Sequence, residues 1–167
     1  LERNADVIGV DNNMRQYFFG PQGSVSRQIA YLQEMFLKFR NFDLDIRDRN
    51  GIFLLYQQEG PFDLIIHTAS QPSHDWASKE PFTDFDINAV GTHNMLEGFR
   101  QHSPQAVFIF VSTNKVYGDA PNRAKLVELD SRYDYDTQQS LPGVSVEGVS
   151  ETMAVDNCTH SLFGASK

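Results

Sequence analysis

The sequence contains little cysteine and no long apolar run. Its single cysteine, Cys158, excludes an internal disulfide, and its five histidines never fall at metal-ligand spacing, so we expect no metal site. No apolar stretch approaches the roughly 20 residues that span a bilayer, and the first residues lack the basic and apolar regions of a signal peptide. The sequence therefore predicts no membrane segment and a reducing, cytoplasmic setting.

Positive charge is also scarce. The chain has 14 lysines and arginines against 22 aspartates and glutamates, which gives a formal net charge of −8. Such a surface disfavours nucleic acids and acidic membranes as partners. Hydrophobic residues make up 40% of the 167 positions and charged residues 22%, as in ordinary globular proteins, and the length favours one domain.

Apolar residues are concentrated in short runs bounded by polar residues. The clearest runs are VIGV at residues 7–10, LII at 64–66 and VFIFV at 107–111, and a weaker one is FDLDI at 42–46. Hydrophobicity that is continuous rather than alternating is typical of strands buried on both faces, as in a parallel sheet.

Helical periodicity separates these runs. Segments 24–39, 50–58 and 82–102 carry apolar residues at steps of three and four, and Ser24 or Ser26 is a candidate N-cap for the first segment. The apolar positions expected to face the core are Ile29, Leu32, Met35, Phe36, Ile52, Leu55, Tyr56, Phe85, Ile87, Val90, Met95, Leu96 and Phe99. The order β-α-β-α-β-α-β predicts a doubly wound α/β fold with a parallel sheet. Residues 119–158 show no period, and we expect a long irregular loop there, functional or mobile.

In a doubly wound sheet, ligands bind outside the carboxyl ends of the strands, so the polar residues after each strand are the candidates. Asp11 follows the first strand, with Asn12 and Asn13 beside it. A carboxylate there can accept both ribose hydroxyls of an adenosine, which distinguishes NAD from NADP; the alternative is a turn or capping aspartate. Asp45 and Ile46 end the second strand, where an adenine could stack and hydrogen-bond.

The third strand runs into Thr68, Ala69, Ser70 and Gln71. Small residues let a backbone approach a pyrophosphate or ribose closely, although a tight strand-to-helix turn would have the same composition. Asn88 is a polar residue among apolar helix neighbours. An inward asparagine must find hydrogen-bond partners and could brace the strand ends; the alternative is that it faces solvent.

The last strand is followed by Thr113 and Asn114. Side chains at this point would lie beside a nicotinamide and a substrate, where the Thr113 hydroxyl could hydrogen-bond a substrate hydroxyl or ketone. Lys167, the final residue, follows a Gly-Ala-Ser string that predicts the start of a helix.

Six strings in order carry a family resemblance over essentially the whole chain: VDNN, LDIRD, HTAS, INAVGT, STNKVYGD and SLFGASK. Together they resemble the extended short-chain dehydrogenases/reductases, the NAD-dependent epimerase/dehydratase family, which mostly modify nucleotide sugars. The pairing of STNKVYGD with HSLFGASK is similar to the narrower group of CDP-paratose 2-epimerases. The resemblance implies a Rossmann fold with NAD as cofactor.

The resemblance also implies roles for the residues that follow the strands. Asp11 would bind the adenosine ribose, and Asp45 with Ile46 the adenine. Residues 68–71 would line the pyrophosphate and the nicotinamide ribose, with Asn88 supporting them.

The catalytic trio of the family matches only in part. Thr113 takes the Ser/Thr position, and Lys167 takes the position of the lysine that holds the nicotinamide ribose and lowers the pKa of the catalytic tyrosine. Phe163 stands where that tyrosine belongs. A phenyl ring cannot transfer a proton, a step commonly worth about two to four decades of rate. His160 and Tyr117 are the nearest substitutes in sequence, and nothing in the sequence favours either.

A second departure concerns the phosphate-binding turn. The family's glycine-rich GxxGxxG string is absent, so we expect residues 1–6 to be the tail of a first strand–helix unit that the chain otherwise lacks. Without that unit a pyrophosphate loses the helix N-terminus that would hold it. The C-terminal region that would hold the sugar nucleotide is also expected to be missing, so this fragment alone should be inactive.

The resemblance implies an epimerase. Bound NAD would oxidise a sugar carbinol to a ketone and return the hydride to the opposite face. A dehydratase would need an Asp-Glu pair after Thr113, where this chain has Asn114 and Lys115. The expected partners are a nucleotide-sugar substrate, with a CDP-linked deoxysugar as the narrower choice, and a second subunit in a homodimer. The rival hypothesis is a non-catalytic NAD-binding protein that lost the tyrosine.

Overall fold

The computed structural model describes residues 5–167, so most of the expected tail of a first strand–helix unit, residues 1–4, lies outside the described residues. The described residues form two compact units, the first ending at Val111 and the second spanning Ser112–Lys167.

The first unit contains four short parallel strands. They are β1 (Val7–Val10), β2 (Phe39–Phe42), β3 (Leu64–His67) and β4 (Val107–Phe110). Val7 lies opposite Phe39 in the β1–β2 pair, and Leu64 lies opposite Val107 in the β3–β4 pair. The predicted parallel α/β architecture is confirmed as an incomplete Rossmann fold.

The two strand pairs are not joined into one sheet. Among the described residues, β1 forms a ladder with β2 and β3 forms one with β4, but no ladder connects β1 with β3. A cavity of about 770 Å³ is lined by residues of both of these strands. The edges of β1 and β3 therefore border an unfilled space.

Helices connect the strands of this unit. They are α1 (Arg15–Phe19), α2 (Ser26–Met35), α3 (Arg49–Glu59), α4 (His74–Lys79), α5 (Pro81–Phe85) and α6 (Thr92–His102), with a 3₁₀ turn at Pro21–Gly23. The long helix expected over residues 82–102 is present, but a six-residue π-helix, Asp86–Gly91, joins α5 to α6. The expected serine cap of α2 is wrong: Val25 occupies the cap position, and no side chain caps the helix.

The core of the unit lies around α3 and the long helix. Ile52, Leu55, Tyr56, Ile87 and Met95 are buried as predicted. The inward placement of three other predicted core residues is wrong, because their side chains are exposed: Met35, Phe85 and Leu96.

Strand β2 begins and ends earlier than the sequence predicts. The expected strand at residues 42–46 lies instead at Phe39–Phe42, and Asp45 and Ile46 follow it in a loop. The Asp45 carboxylate accepts a hydrogen bond from the Arg47 backbone N–H at 2.8 Å, which bends the chain away from the strand direction.

The second unit is built from short elements. They are 3₁₀ turns at Asn114–Tyr117 and Ala120–Arg123, the hairpin of β5 (Leu126–Glu128) and β6 (Tyr133–Tyr135), the hairpin of β7 (Val144–Ser145) and β8 (Gly148–Val149), and α7 (Leu162–Ser166). The structure thus differs from the irregular loop expected at residues 119–158, because two antiparallel hairpins interrupt it. In residues 5–167 no helix is long and apolar enough to cross a bilayer.

Candidate functional site

The loop after β1 presents Asp11 at the protein surface. Asp11 is exposed, and its Oδ1 accepts a hydrogen bond from the Asn13 backbone N–H at 2.6 Å. Asn13 adopts a left-handed φ of 56°, which asparagine tolerates better than most residues. Its Oδ1 accepts from the Val25 N–H at 2.8 Å, and its amide donates to Ser24 Oγ at 3.1 Å. Asn13 thus holds the loop, while Asp11 is open to a ligand.

Asp45 joins the loops after β1 and β2. Its Oδ2 accepts from the Asn12 amide at 2.9 Å and from the Arg47 guanidinium at 2.6 Å. Burial alone would raise the pKa of Asp45, but the hydrogen bonds and charge of Arg47, with Asn12, outweigh it and hold that pKa below its ordinary value. Asp45 is thus a carboxylate engaged in holding the two loops together.

Ile46 is buried and braced by the long helix. The Asn94 amide donates to the Ile46 carbonyl at 3.0 Å. Gly91, in the π-helix, lies against the Ile46 side chain, where an added Cβ would come within 2.5 Å of it. The sequence reasoning missed Asn94, which gave no clear signal because most of its neighbours in α6 are also polar.

The segment after β3 passes from exposed to buried. Thr68 is exposed, Ala69 and Ser70 are half-buried, and Gln71 is 1% exposed. Small side chains thus line the part of the segment that a ligand can reach, while Gln71 is fixed inside.

His67, at the end of β3, is anchored from two sides. Its Nε2 lies 2.9 Å from Thr92 Oγ1, and its ring stacks on Phe110 of β4 with centroids 5.6 Å apart. The strand end that leads into the small-residue segment is therefore held rigidly. Sequence reasoning gave Thr92 no role.

Asn88 faces inward, as predicted, and is 2% exposed. Its Oδ1 accepts from the Gln71 N–H at 2.9 Å, and its amide donates to Asp84 Oδ1 at 3.1 Å. The solvent-facing alternative is wrong. Asn88 braces the segment after β3, and its role toward a cofactor stays a prediction.

The first unit thus brings together residues that follow three different strands. The end of the cavity near the carboxyl ends of β1 and β3 is lined by Asp11, Asn12, Asp45, Ile46, Thr68, Ala69 and Ser70. An exposed carboxylate beside small residues fits a dinucleotide, because the carboxylate accepts ribose hydroxyls and small side chains admit a phosphate to the backbone.

Thr113 caps the first turn of the second unit. Its Oγ1 accepts from the Lys115 N–H at 3.3 Å and donates to Asn114 Oδ1 at 3.4 Å. Thr113 is half-buried and Asn114 is exposed. The turn therefore fixes the direction of the Thr113 hydroxyl.

Helix α7 packs on this turn. Ser161 caps the helix by accepting from the Gly164 N–H at 3.1 Å, and the Gly164 backbone lies against the Lys115 carbonyl, where a Cβ would not fit. Phe163 is buried at 8% exposure, and Lys167 is half-buried. The second unit thus brings the Phe163 helix against the Thr113 turn, although about fifty residues separate them in the sequence.

The two suggested substitutes for the tyrosine differ in what holds them. His160 Nε2 lies 2.8 Å from the Val116 carbonyl, which can only accept, so that nitrogen carries the hydrogen. Its Nδ1 lies 3.9 Å from the Cys158 sulfur. Tyr117 is half-buried. Of the two ring nitrogens of His160, only Nδ1 is therefore able to accept a proton.

The chain is similar in sequence to a family of known proteins and to several of its members. The family model described as the NAD dependent epimerase/dehydratase family matches residues 1–141. CDP-paratose 2-epimerase of Salmonella typhi is 37% identical over 170 aligned residues, covering 100% of this chain and 44% of that protein. UDP-glucose 4-epimerase of Mycoplasma pneumoniae is 34% identical over 58 residues, covering 35% of this chain and 17% of that protein. The chain spans less than half the length of these curated relatives.

Solved structures show the same fold. The UDP-Glc/GlcNAc 4-epimerase of Campylobacter jejuni has a TM-score of 0.66 and 22% identity, covering 100% of this chain and 40% of that one. A double mutant of the dTDP-glucose 4,6-dehydratase DesIV of Streptomyces venezuelae, which has NAD bound, has a TM-score of 0.65 and 21% identity, covering 97% and 38%. Because the family model matches most of the chain and one epimerase is 37% identical over all of it, the chain belongs to the NAD-dependent epimerase/dehydratase family, whose cofactor is NAD.

Proposed function

We propose that the whole protein containing this chain is an NAD-dependent nucleotide-sugar epimerase acting on a CDP-linked deoxysugar. The observation that carries the proposal is the 37% identity with CDP-paratose 2-epimerase, which extends over the whole chain. The aligned region includes the loops after β1, β2 and β3 and the unit that contains Thr113 and Lys167. Because the chain covers 44% of this relative, the activity is proposed for the whole protein.

NAD would be held by the carboxyl edge of the first unit. The exposed Asp11 would accept the adenosine ribose hydroxyls, and its charge would repel the phosphate of NADP. Asp45 would act by holding the adenine loop, because both of its oxygens already bind Arg47 or Asn12. Residues 68–71 would admit the pyrophosphate and the nicotinamide ribose. The bound cofactor supplies reversible removal and return of a hydride at one sugar carbon.

The second unit would hold the reacting sugar. The Thr113 hydroxyl, directed by its own turn, would hydrogen-bond the sugar oxygen, and Lys167 would hold the nicotinamide ribose. Phe163 offers no proton, so another group must move the proton of that oxygen, and His160 and Tyr117 are the nearest candidates. Asn114 after Thr113 favours epimerisation over dehydration, because elimination needs an acid and a base at that place.

The cavity between β1 and β3 supports a preceding strand–helix unit in the whole protein. Among the described residues no ladder joins β1 to β3, and residues of both strands line the cavity, so a further parallel strand could pair with each of them. Such a strand would end beside Asp11 and Thr68, where a phosphate-binding turn is required.

The test is to incubate the whole protein with CDP-paratose and to follow the two epimers by NMR, with bound NAD measured in parallel. We expect interconversion of the epimers with NAD retained. NAD retention without epimerisation, and without a transient NADH-like absorbance, would support the non-catalytic rival instead. Conversion of UDP-glucose but not of CDP-paratose would show that the proposed substrate class is wrong.

A further inference from the structure

A buried polar network lies behind the segment after β3. Asp84, Gln71 and Asn88 are each 1–2% exposed. Asp84 Oδ1 accepts from the Gln71 side-chain amide at 2.7 Å and from the Asn88 amide at 3.1 Å. One carboxylate oxygen thus binds the amide groups of two residues for which cofactor roles are predicted.

The carboxylate supports the direction in which both amides point. A carboxylate oxygen can only accept, so each amide turns its NH₂ group toward Asp84. The Asn88 oxygen is thereby directed at the Gln71 backbone N–H, 2.9 Å away. The Gln71 side-chain oxygen likewise accepts from the Ser73 N–H at 2.5 Å. The same NH₂ groups also donate to the carbonyls of Ser73 at 2.8 Å and Gln71 at 3.3 Å, so Asp84 and these carbonyls together fix the backbone hydrogen bonds of the segment.

The long helix keeps these groups on one face. Asp84, Asn88 and Thr92 are spaced by four residues, and Thr92 contacts His67 at the end of β3. In a regular α-helix a four-residue spacing drifts around the axis, but the wider turns of the π-helix at Asp86–Gly91 counteract that drift. Residues of one helix therefore form hydrogen bonds with both the end of β3 and the segment that follows it.

We propose that Asp84 is a positioning residue for NAD binding. It lies behind the segment 68–71 and acts through Gln71 and Asn88, which it orients. Polar groups in the interior specify one geometry when they are fully satisfied, and a cofactor loop that must admit a phosphate needs such a fixed backbone. The inference rests on the proposed function only in that this segment binds NAD.

The test compares two readouts in the whole protein. Hydrogen exchange of the Gln71 and Ser73 amides without NAD measures positioning, and calorimetric titration with NAD measures its consequence. For Asp84→Ala we expect roughly tenfold faster exchange at both amides and roughly tenfold weaker NAD binding. Asp84→Asn keeps an oxygen acceptor of the same shape and should rescue both values to within about threefold of the wild type.

Ser103→Ala is the matched control. Ser103 is also 1% exposed, and its Oγ accepts from the Phe62 N–H at 3.0 Å, near the amino end of β3. This variant should lower the thermal midpoint while leaving exchange at Gln71 and NAD affinity unchanged. A purely structural role for Asp84 would give the same pattern as this control.

The proposal would be overturned if Asp84→Ala kept both the hydrogen-exchange rates and the NAD affinity of the wild type. If that variant does not fold, Asp84→Glu shifts the acceptor by one methylene and should still accelerate exchange at Gln71; unchanged exchange would overturn the proposal. If the wild-type protein binds no NAD, the proposed function fails, and the exchange rates still decide whether Asp84 positions the segment.

Discussion

The backbone of Gly164 lies directly against the carbonyl oxygen of Lys115. This contact seats α7 on the turn that Thr113 caps, with no space for even a methyl group between them. Within the second unit, it fixes the spacing between Phe163 and Thr113, two of the three positions that the sequence resemblance predicts for a catalytic trio.

Gly164→Ala should therefore destabilise the second unit and separate these positions. Overpacking at a close backbone contact commonly costs about 1–3 kcal/mol, because the carbonyl cannot move as a flexible side chain can. We expect a lower thermal midpoint and a loss of epimerase activity in the whole protein. Ala165→Ser, at the exposed neighbouring position, is the control and should behave like the wild type. Equal midpoints for the two variants would contradict this account of the contact.

Phe163→Tyr should introduce the hydroxyl that the sequence resemblance predicts at this position for proton transfer. If that hydroxyl alone is missing, the turnover rate should rise by about two to four decades. The measurement is the rate of epimer interconversion at saturating substrate, with bound NAD monitored separately. Phe163→Leu is the control, since it changes the ring without adding a hydroxyl. An unchanged rate in a folded, NAD-bound Phe163→Tyr protein would show that another group already serves this role.

Asp11→Ala should weaken NAD binding and reduce the preference for NAD over NADP. The exposed carboxylate is expected to accept ribose hydroxyls, and losing hydrogen bonds to a charged group costs about 1.5–3 kcal/mol, or roughly ten- to a hundredfold in the dissociation constant. Calorimetric titration with each dinucleotide gives both values. Asp63→Ala removes an exposed carboxylate near the amino end of β3. As the control, it should change neither the affinity for NAD nor the preference for NAD over NADP. The ribose role of Asp11 would be wrong if both variants bound NAD equally well.

Asp45 should stabilise the fold in a pH-dependent way. Burial raises its pKa, but Arg47 and Asn12 lower it by more, so the folded pKa lies below the ordinary value of 3.8. A depressed pKa contributes stability that is fully present above the unfolded value and disappears as the pH falls through the folded pKa. Asp45→Asn should cost at most about 1 kcal/mol at neutral pH, because the pair is partly exposed. Denaturant titrations should show this difference shrinking below about pH 4, and a constant difference would contradict it.

The sequence predicted the parts of the fold that depend on continuous hydrophobicity. Residues 7–10 and 107–110 form strands as expected. The burial expected on both faces is wrong for β4, because Val107 and Ile109 are exposed on one face. The inward position of Asn88 was also predictable, since a lone amide in an apolar helix must find partners in the core. These predictions depend only on the types of neighbouring residues, which can be read directly from the sequence.

Other features depend on contacts between distant residues. The run at 42–46 resembles a strand, but Asp45 bends it by binding Arg47, so the strand lies earlier. Helical periodicity indicates which side of a helix is apolar, but it does not indicate whether another element covers that side. Phe85, predicted to face the core, is exposed for this reason. No signal in the sequence indicated the proposed role of Asp84, because that role depends on the Gln71 amide, which the fold brings to it.

The π-helix at Asp86–Gly91 amounts to one residue added to an otherwise regular helix. Each residue of an α-helix turns the chain by about 100°. Eight residues of regular α-helix would carry Thr92 about 80° around the axis from Asp84. The wider turns of this segment absorb the added residue, so Thr92 still faces His67 while Asn94 reaches the Ile46 carbonyl. The added residue thus lets one helix contact both the end of β3 and the loop after β2.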